Sequence, residues 1–116
     1  MTVAAPRRTA PEVTLRPMAD ADVDAVRALD ALVQPTPWSE DFLRGQLADP
    51  DGRTLLVAEG ADGTPVGHAA LVVVADEGHV TSIAVDPALQ RHGIGATLLA
   101  ALCRDARARG LTAMTL

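Results

Sequence analysis

The stretch over residues 81–99 limits the possible folds most, because it combines a strand end, a glycine-containing loop and a helix start. Apolar residues run to Val85, and Asp86-Pro87 ends the strand because proline lacks an amide hydrogen. The loop Gln90-Arg91-His92-Gly93-Ile94-Gly95 then leads into a helix predicted over residues 95–109. Its glycines allow close approach to a ligand, and the free amides and dipole of a helix start favour an anion such as a pyrophosphate.

Glycines at this spacing also fit a plain turn before an amphipathic helix, and spacing alone leaves that alternative open. Other phosphate-binding loops fit worse. The sequence contains no lysine, which excludes a Gly-x-x-x-x-Gly-Lys-Ser/Thr loop. Gly93 and Gly95 also lack the third glycine of the dinucleotide-binding fingerprint.

Hydrophobic periodicity and turn residues predict one α/β domain with the element order β-α-α-β-β-β-α-β. The predicted strands cover residues 13–16, 54–58, 65–74, 79–85 and 111–116. The first two helices are expected to begin at the N-caps Asp20 and Ser39 and to end near Val33 and Leu47. The last strand-helix-strand unit predicts a parallel pair joined by a right-handed crossover. Residues 1–12 are predicted to be a flexible tail.

Composition and charge exclude several functional classes. The formal net charge is −5 and aromatic residues make up 2%, which argues against nucleic-acid binding through phosphates or base stacking. The single cysteine, Cys103, permits no disulfide within the chain, as expected in a reducing compartment. The longest apolar run, over residues 69–75, is too short to span a membrane, and no spacing of ligands suggests a metal site. The sequence therefore predicts a soluble, cytoplasmic protein without nucleic-acid, membrane or metal partners.

The loop Gln90-Arg91-His92-Gly93-Ile94-Gly95 resembles the coenzyme-A-binding motif [QR]-x-x-G-x-[GA] of GNAT acetyltransferases, and the resemblance extends into the flanking strand and helix. It implies the acyl-CoA N-acyltransferase fold, a mixed central sheet flanked by helices, with acetyl-CoA as co-substrate. The strand backbone expected to pair with the pantetheine arm belongs to Ile83, Ala84 and Val85. The amides expected to cradle the pyrophosphate belong to Arg91, His92, Gly93, Ile94, Gly95 and Ala96.

A narrower resemblance, over residues 13–116, is to the bacterial ribosomal-protein-alanine N-acetyltransferases, carried by Pro37-Trp38-Ser39-Glu40, Asp76-Glu77 and the block 83–95. It implies acetylation of a protein N-terminal amine, the alanine of a small-subunit ribosomal protein. In those enzymes a catalytic glutamate, a later tyrosine, a final helix and two further strands follow the strand that begins like residues 111–116. The sequence is therefore expected to be a C-terminally truncated domain, without those elements and with no catalytic residue assigned. A coenzyme-A-binding fragment without turnover, or a GNAT protein acetylating a small-molecule amine, are the alternatives.

Several other residues receive structural predictions. The titratable groups near the predicted sheet are expected to be solvated or to lie at strand ends: Glu59, His68, Glu77 and His79. His92 is expected to face solvent or phosphate, and Cys103, beside Leu99 and Leu102, to be a small core residue. Trp38 has two open interpretations, a core anchor under the second helix or a wall of the acceptor groove.

Overall fold

The structure, a computed structural model, describes residues 12–116, so the tail predicted over residues 1–12 lies outside the described residues except for Glu12. Within this part there are five strands and three α-helices: β1 (Thr14–Pro17), α1 (Val23–Val33), α2 (Glu40–Ala48), β2 (Arg53–Glu59), β3 (Pro65–Val74), β4 (Glu77–Val85), α3 (Ile94–Ala108) and β5 (Ala113–Thr115). The predicted element order is confirmed. None of the three helices is long and apolar enough to cross a membrane.

The strands form one mixed sheet in the order β1-β2-β3-β4-β5. Successive strands are antiparallel as far as β4, since the connections between β2, β3 and β4 are short turns. β5 returns through α3 and lies parallel to β4, which confirms the predicted parallel pair.

β4 has an open edge over its C-terminal half. On one side it pairs with β3 along its whole length, but on the other side only Glu77–His79 pair with β5. A bulge makes Thr81 the extra residue of β4, because Ala70 pairs with Ser82 while Leu71 pairs with Val80. The peptide groups after this bulge therefore have no strand partner on the β5 side within residues 12–116.

Helices cover both faces of the sheet, and alternate residues of each strand supply the two cores. One core lies between the sheet and α3 and contains Ala58, Ala69, Leu71, Val85, Ile94, Leu98, Leu102 and Ala106. The other lies on the opposite face with α1 and α2 and contains Met18, Val23, Val26, Leu43 and Val57. With almost no aromatic residues, the packing depends on close contact between aliphatic side chains.

The start of the first helix differs from the prediction. Asp20 is exposed and belongs to a short 3-10 turn before α1, so its predicted N-cap role is wrong. Asp22 is the buried carboxylate instead, because it accepts hydrogen bonds from the Ala19 amide at 2.8 Å and from Arg16 Nη1 at 2.7 Å. The predicted cap at Ser39 is confirmed, since its Oγ accepts the Phe42 amide at 3.1 Å.

Candidate functional site

The loop between β4 and α3 is folded by its own polar groups. The Asp86 side chain accepts the Ala88 amide at 2.9 Å, which starts a short 3-10 turn at Pro87. Gln90 Nε2 then donates to the Val85 carbonyl at 3.3 Å, which ties the loop to the end of β4. These contacts bring the following residues back beside the open edge of the strand.

Two residues in the left-handed backbone conformation bring the start of α3 beside this edge. Arg91 and Gly93 both have positive φ angles, 70° and 84°. Glycine adopts this conformation without steric cost, whereas arginine does so only when its surroundings hold it there. Helix α3 then begins at Ile94, and its first bonded amide is that of Thr97, which donates to the Gly93 carbonyl at 3.0 Å.

The amides of residues 91–96 have no hydrogen-bond acceptor within residues 12–116. No side chain caps the start of α3, so these donors are available to a ligand. Together with the positive end of the helix dipole and the exposed Arg91 side chain, they form a site suited to a phosphate or pyrophosphate.

This amide row borders a cleft of about 370 Å³, called here the α3 cleft, which is lined by Ile83, Val85, Leu89, Gln90, Arg91, Gly93, Ile94, Gly95 and Ala96. A Cβ atom added to Gly95 would meet only Val85 Cγ2, at 3.7 Å, so the space beside the helix start is open. The cleft therefore leaves open space beside the amides at the start of α3.

Seven of the nine predicted cofactor-binding residues line the α3 cleft, and two do not. Ala84 lies on the other face of the sheet, because it pairs with His68 and alternates with Ile83 and Val85. His92 is half-buried, and its Nδ1 atom is buried without a hydrogen-bond partner in residues 12–116. The binding roles of all nine residues stay predictions.

A second cleft of about 300 Å³ lies on the opposite face of β4, between this strand and α1. It is called here the α1 cleft and is lined by Asp30, Val33, Gln34, Thr81, Ser82, Ile83 and Ala84. Ile83 lines both clefts and remains 37% exposed, because it stands on the open edge of the strand. The two clefts therefore adjoin each other at this residue.

A buried hydrogen bond between His68 and Asp30 lies beside the α1 cleft. His68 Nε2 is 3.0 Å from Asp30 Oδ1, and the side chains are 0% and 3% exposed. Because a carboxylate only accepts, the His68 Nε2 atom carries the hydrogen and donates it. Burial lowers the pKa of His68, and the hydrogen bond that His68 donates to Asp30 opposes this shift only in part. The ring is therefore neutral, and its Nδ1 atom has no partner in residues 12–116.

This finding corrects the prediction that His68 is a solvated or strand-end residue. It lies in the middle of β3 on the face that α1 covers, where the helix excludes water. Asp30 was missed altogether. Its position contained a signal, because it lies seven residues after Val23 and four after Val26, on the apolar stripe of α1.

The other titratable candidates near the sheet lie as predicted. Glu59 ends β2 and accepts a hydrogen bond from Arg16 Nε at 2.7 Å, and Glu77 begins β4 on the surface. His79 is half-exposed, with Nδ1 2.6 Å from Thr115 Oγ1. Residues 12–116 contain no cluster of three side chains that could hold a metal ion.

The sequence also predicted the environments of Trp38 and Cys103. Trp38 is half-buried, packs against the core under α1 and α2, and meets Phe42 edge-to-face at 5.1 Å. It lines neither cleft, and its role in an acceptor groove stays a prediction. Cys103 is exposed, so its predicted core position is wrong. The buried stripe of α3 runs through Leu98 and Leu102, which turns the next residue outward.

Comparisons with known proteins agree with this geometry. Residues 23–116 match the model of the acetyltransferase (GNAT) family. The chain is 41% identical over 83 residues to a mycothiol acetyltransferase of Clavibacter michiganensis subsp. michiganensis, which covers 72% of this chain and 26% of that protein. It is 31% identical over 103 residues to the ribosomal protein bS18-alanine N-acetyltransferase of Salmonella typhimurium, which covers 89% of this chain and 68% of that protein.

A solved structure of a ribosomal-protein acetyltransferase has a similar fold. The crystal structure of the ribosomal-protein-S18-alanine N-acetyltransferase from Escherichia coli has a TM-score of 0.76 and 27% identity, covering 86% of this chain and 63% of that chain. The chain thus spans about a quarter of the Clavibacter protein and about two thirds of the two ribosomal-protein acetyltransferases.

Proposed function

Because the chain belongs to the GNAT acetyltransferase family, we propose that it binds acetyl-coenzyme A in the α3 cleft and supports transfer of the acetyl group to an amine. The observation that carries this proposal is the row of unpartnered amides over residues 91–96, which borders the α3 cleft beside an open strand edge. When bound, the thioester supplies the activated acetyl group.

In this proposal the chain holds the two ends of the ligand by different means. The amides of residues 91–96 donate to the pyrophosphate, and Arg91 adds a positive charge at the mouth of the cleft. The open edge of β4 at Ile83, Ala84 and Val85 pairs with the amide groups of the pantetheine arm, as an added strand would. This arrangement directs the ligand along the strand towards the point where the two clefts adjoin.

The acceptor that we propose is the N-terminal amine of a protein, with the alanine of a small-subunit ribosomal protein as the first candidate. Similarity to the Salmonella and Escherichia coli enzymes supports this choice. A small-molecule amine is the second candidate, supported by the higher identity of 41% to the mycothiol acetyltransferase. The third is that this chain by itself binds coenzyme A without turnover, since no base or acid is assigned within it. A cytoplasmic location belongs to the same proposal.

The binding step is tested by titrating the chain with acetyl-coenzyme A and comparing two arginine variants. Arg91→Ala removes an exposed charge at the cleft, whereas Arg104→Ala removes an exposed charge from the outer side of α3. We expect Arg91→Ala to weaken binding about three- to tenfold, because it loses a charged contact to phosphate, and Arg104→Ala to leave it unchanged. No binding by the unaltered chain would contradict the proposal.

The transfer step is tested with the same chain, by mass spectrometry of three acceptors: an alanine-starting ribosomal peptide, the same peptide with a blocked N-terminus, and small primary amines. Acetylation of the free peptide alone supports the first candidate. Acetylation of the small amines alone supports the second candidate. Binding of acetyl-coenzyme A without acetylation of any acceptor supports the third.

A further inference from the structure

We propose that the α1 cleft binds the charged amine of the acceptor, and that Asp30 is the residue that holds it. This inference rests on the proposed function, because it assigns the site from which the acceptor approaches the acetyl group. The carboxylate receives the ammonium at Oδ2, and His68 keeps the carboxylate in position through Oδ1.

Asp30 lacks a counter-charge within residues 12–116. Its carboxylate is 97% covered, yet its only hydrogen-bond partner within residues 12–116 is His68. No arginine lies within ion-pairing distance of it in that part of the chain. A buried carboxylate without a cationic partner is costly, so a positively charged ligand would be stabilised at this position.

One carboxylate oxygen of Asp30 remains free to accept a hydrogen bond from such a ligand. Oδ1 is 3.0 Å from His68 Nε2, while Oδ2 makes no hydrogen bond within residues 12–116. Oδ2 is also not sealed from solvent, unlike the unpartnered Nδ1 atoms of His68 and His92. Since Asp30 lines the α1 cleft, a ligand in this cleft can reach the carboxylate.

The α1 cleft lies next to the proposed cofactor site. It shares Ile83 with the α3 cleft, and the two lie on opposite faces of the open edge of β4. An amine held in the α1 cleft therefore reaches the open edge from the face opposite the α3 cleft. Once the ammonium has given its extra proton to water, the free amine can attack a thioester bound along that edge, and coenzyme A leaves as the thiol. Approach from opposite faces avoids competition between acceptor and cofactor for the same space.

The size of the α1 cleft limits the ligand that it can hold. The volume of about 300 Å³ is at the lower end for ligand-binding pockets. The strand side of the cleft is lined by the small residues Thr81, Ser82 and Ala84, and Gln34 offers an amide for a peptide group. The cleft therefore suits a primary ammonium on a small aliphatic group, either the first residue of a peptide or a compact small molecule.

The inference is tested with two charge-neutralising variants on the same helix. Asp30→Asn removes the charge but keeps the size and an oxygen that can accept from His68. Asp24→Asn makes the same change at an exposed position of α1 and is the matched control. The probes are an alanine-starting peptide, the same peptide with an acetylated N-terminus, and alaninamide, each titrated by calorimetry with and without coenzyme A.

We expect the unaltered chain and Asp24→Asn to bind the free-amine probes at least about tenfold more tightly than the acetylated peptide, as for a hydrogen bond to a charged group. Asp30→Asn should lose this preference while its affinity for coenzyme A stays within about twofold. Equal binding of the free and acetylated peptides by the unaltered chain, or preference retained by Asp30→Asn, would overturn the inference. Preference for alaninamide but not the peptide would assign the α1 cleft to a small-molecule amine.

A measurement on the unaltered chain covers the case in which Asp30→Asn does not fold. The ring nitrogen resonances of His68 in a ¹⁵N-histidine sample should shift with the free-amine probes and not with the acetylated peptide, because the ligand binds the carboxylate that His68 contacts. An unchanged His68 spectrum at saturating free amine would overturn the inference. Failure of the proposed function would give a different result: the chain would not bind coenzyme A but would still prefer the free-amine probes.

Discussion

Replacing Gly67 with alanine should destabilise this protein, although the change adds only one methyl group. Gly67 is buried in β3 where this strand packs most closely on α3. An added Cβ atom would lie 3.2 Å from the Ala84 carbonyl oxygen, 3.2 Å from Leu98 Cδ1 and 3.3 Å from Ile94 Cγ2. One neighbour is the backbone of β4 and the other two are side chains buried in the core, so relief requires both β4 and α3 to shift by a few tenths of an ångström.

The size of the effect follows from two opposing contributions. Overpacking a dense core typically costs about 1–3 kcal/mol. Alanine recovers about 0.4–1 kcal/mol of this, because it restricts the unfolded chain. The net loss is about 0–2.6 kcal/mol, which at roughly 4 °C per kcal/mol for a chain of this size lowers the melting temperature by up to about 10 °C.

The matched control is the same substitution at Gly45. This residue lies in the exposed part of α2, and a Cβ atom there would meet no atom within 4 Å. Gly45→Ala should therefore stabilise the chain by about 0.5–1 kcal/mol, since glycine is unfavourable inside a helix. Thermal melts followed by circular dichroism measure both variants.

The opposite signs of the two changes are the informative outcome. Because Ala84 and Ile94 flank the proposed pantetheine and pyrophosphate sites, Gly67→Ala should also weaken binding of acetyl-coenzyme A, and Gly45→Ala should not. A Gly67→Ala variant that melts above the temperature of the unaltered chain would refute the close packing of β3 on α3.

Two further predictions concern residues whose environments the sequence did not reveal. Because burial lowers the pKa of His68, this imidazole is protonated at a higher pH in the unfolded chain than in the folded chain. The free energy of unfolding should therefore fall as the pH drops below about 6.5. Urea titrations between about pH 7 and 5 should show a smaller dependence of this free energy on pH in His68→Gln. An unchanged pH dependence would contradict a neutral buried ring. Arg16 lowers the pKa of Asp22, so the contribution of this carboxylate to stability is lost at a lower pH than the effect of His68. Cys103 should react with a maleimide in the native chain nearly as fast as in urea, and strong protection would contradict its exposure.

The parts of the fold that the sequence predicted depend on local signals. The loop before α3 has glycines, a strand-ending proline and an apolar helix in adjacent positions, and the structure confirms this order. The Ser39 cap likewise bonds an amide three residues away. The family resemblance carried by the loop is confirmed by the match over residues 23–116, and the mixed sheet flanked by helices is confirmed as well.

The features that were missed depend on contacts between distant segments. The Asp30–His68 hydrogen bond joins residues 38 positions apart, and no local pattern specifies that α1 crosses β3 at this point. Cys103 adjoins apolar residues in sequence, but which stripe of α3 faces the sheet depends on the sheet itself. Asp22 rather than Asp20 is buried because Arg16 on β1 binds it. Tertiary packing therefore decides which of these side chains are buried and which contacts they make.

The central claim is that acetyl-coenzyme A binds along the edge of β4 and at the start of α3. The most direct test is a titration of the ¹⁵N-labelled chain with acetyl-coenzyme A, followed by amide resonances. The largest shifts should fall on the amides of residues 91–96 and on Ile83, Ala84 and Val85, with little change in α2. Saturable binding whose shifts fall elsewhere, or no shifts at millimolar ligand, would contradict the account.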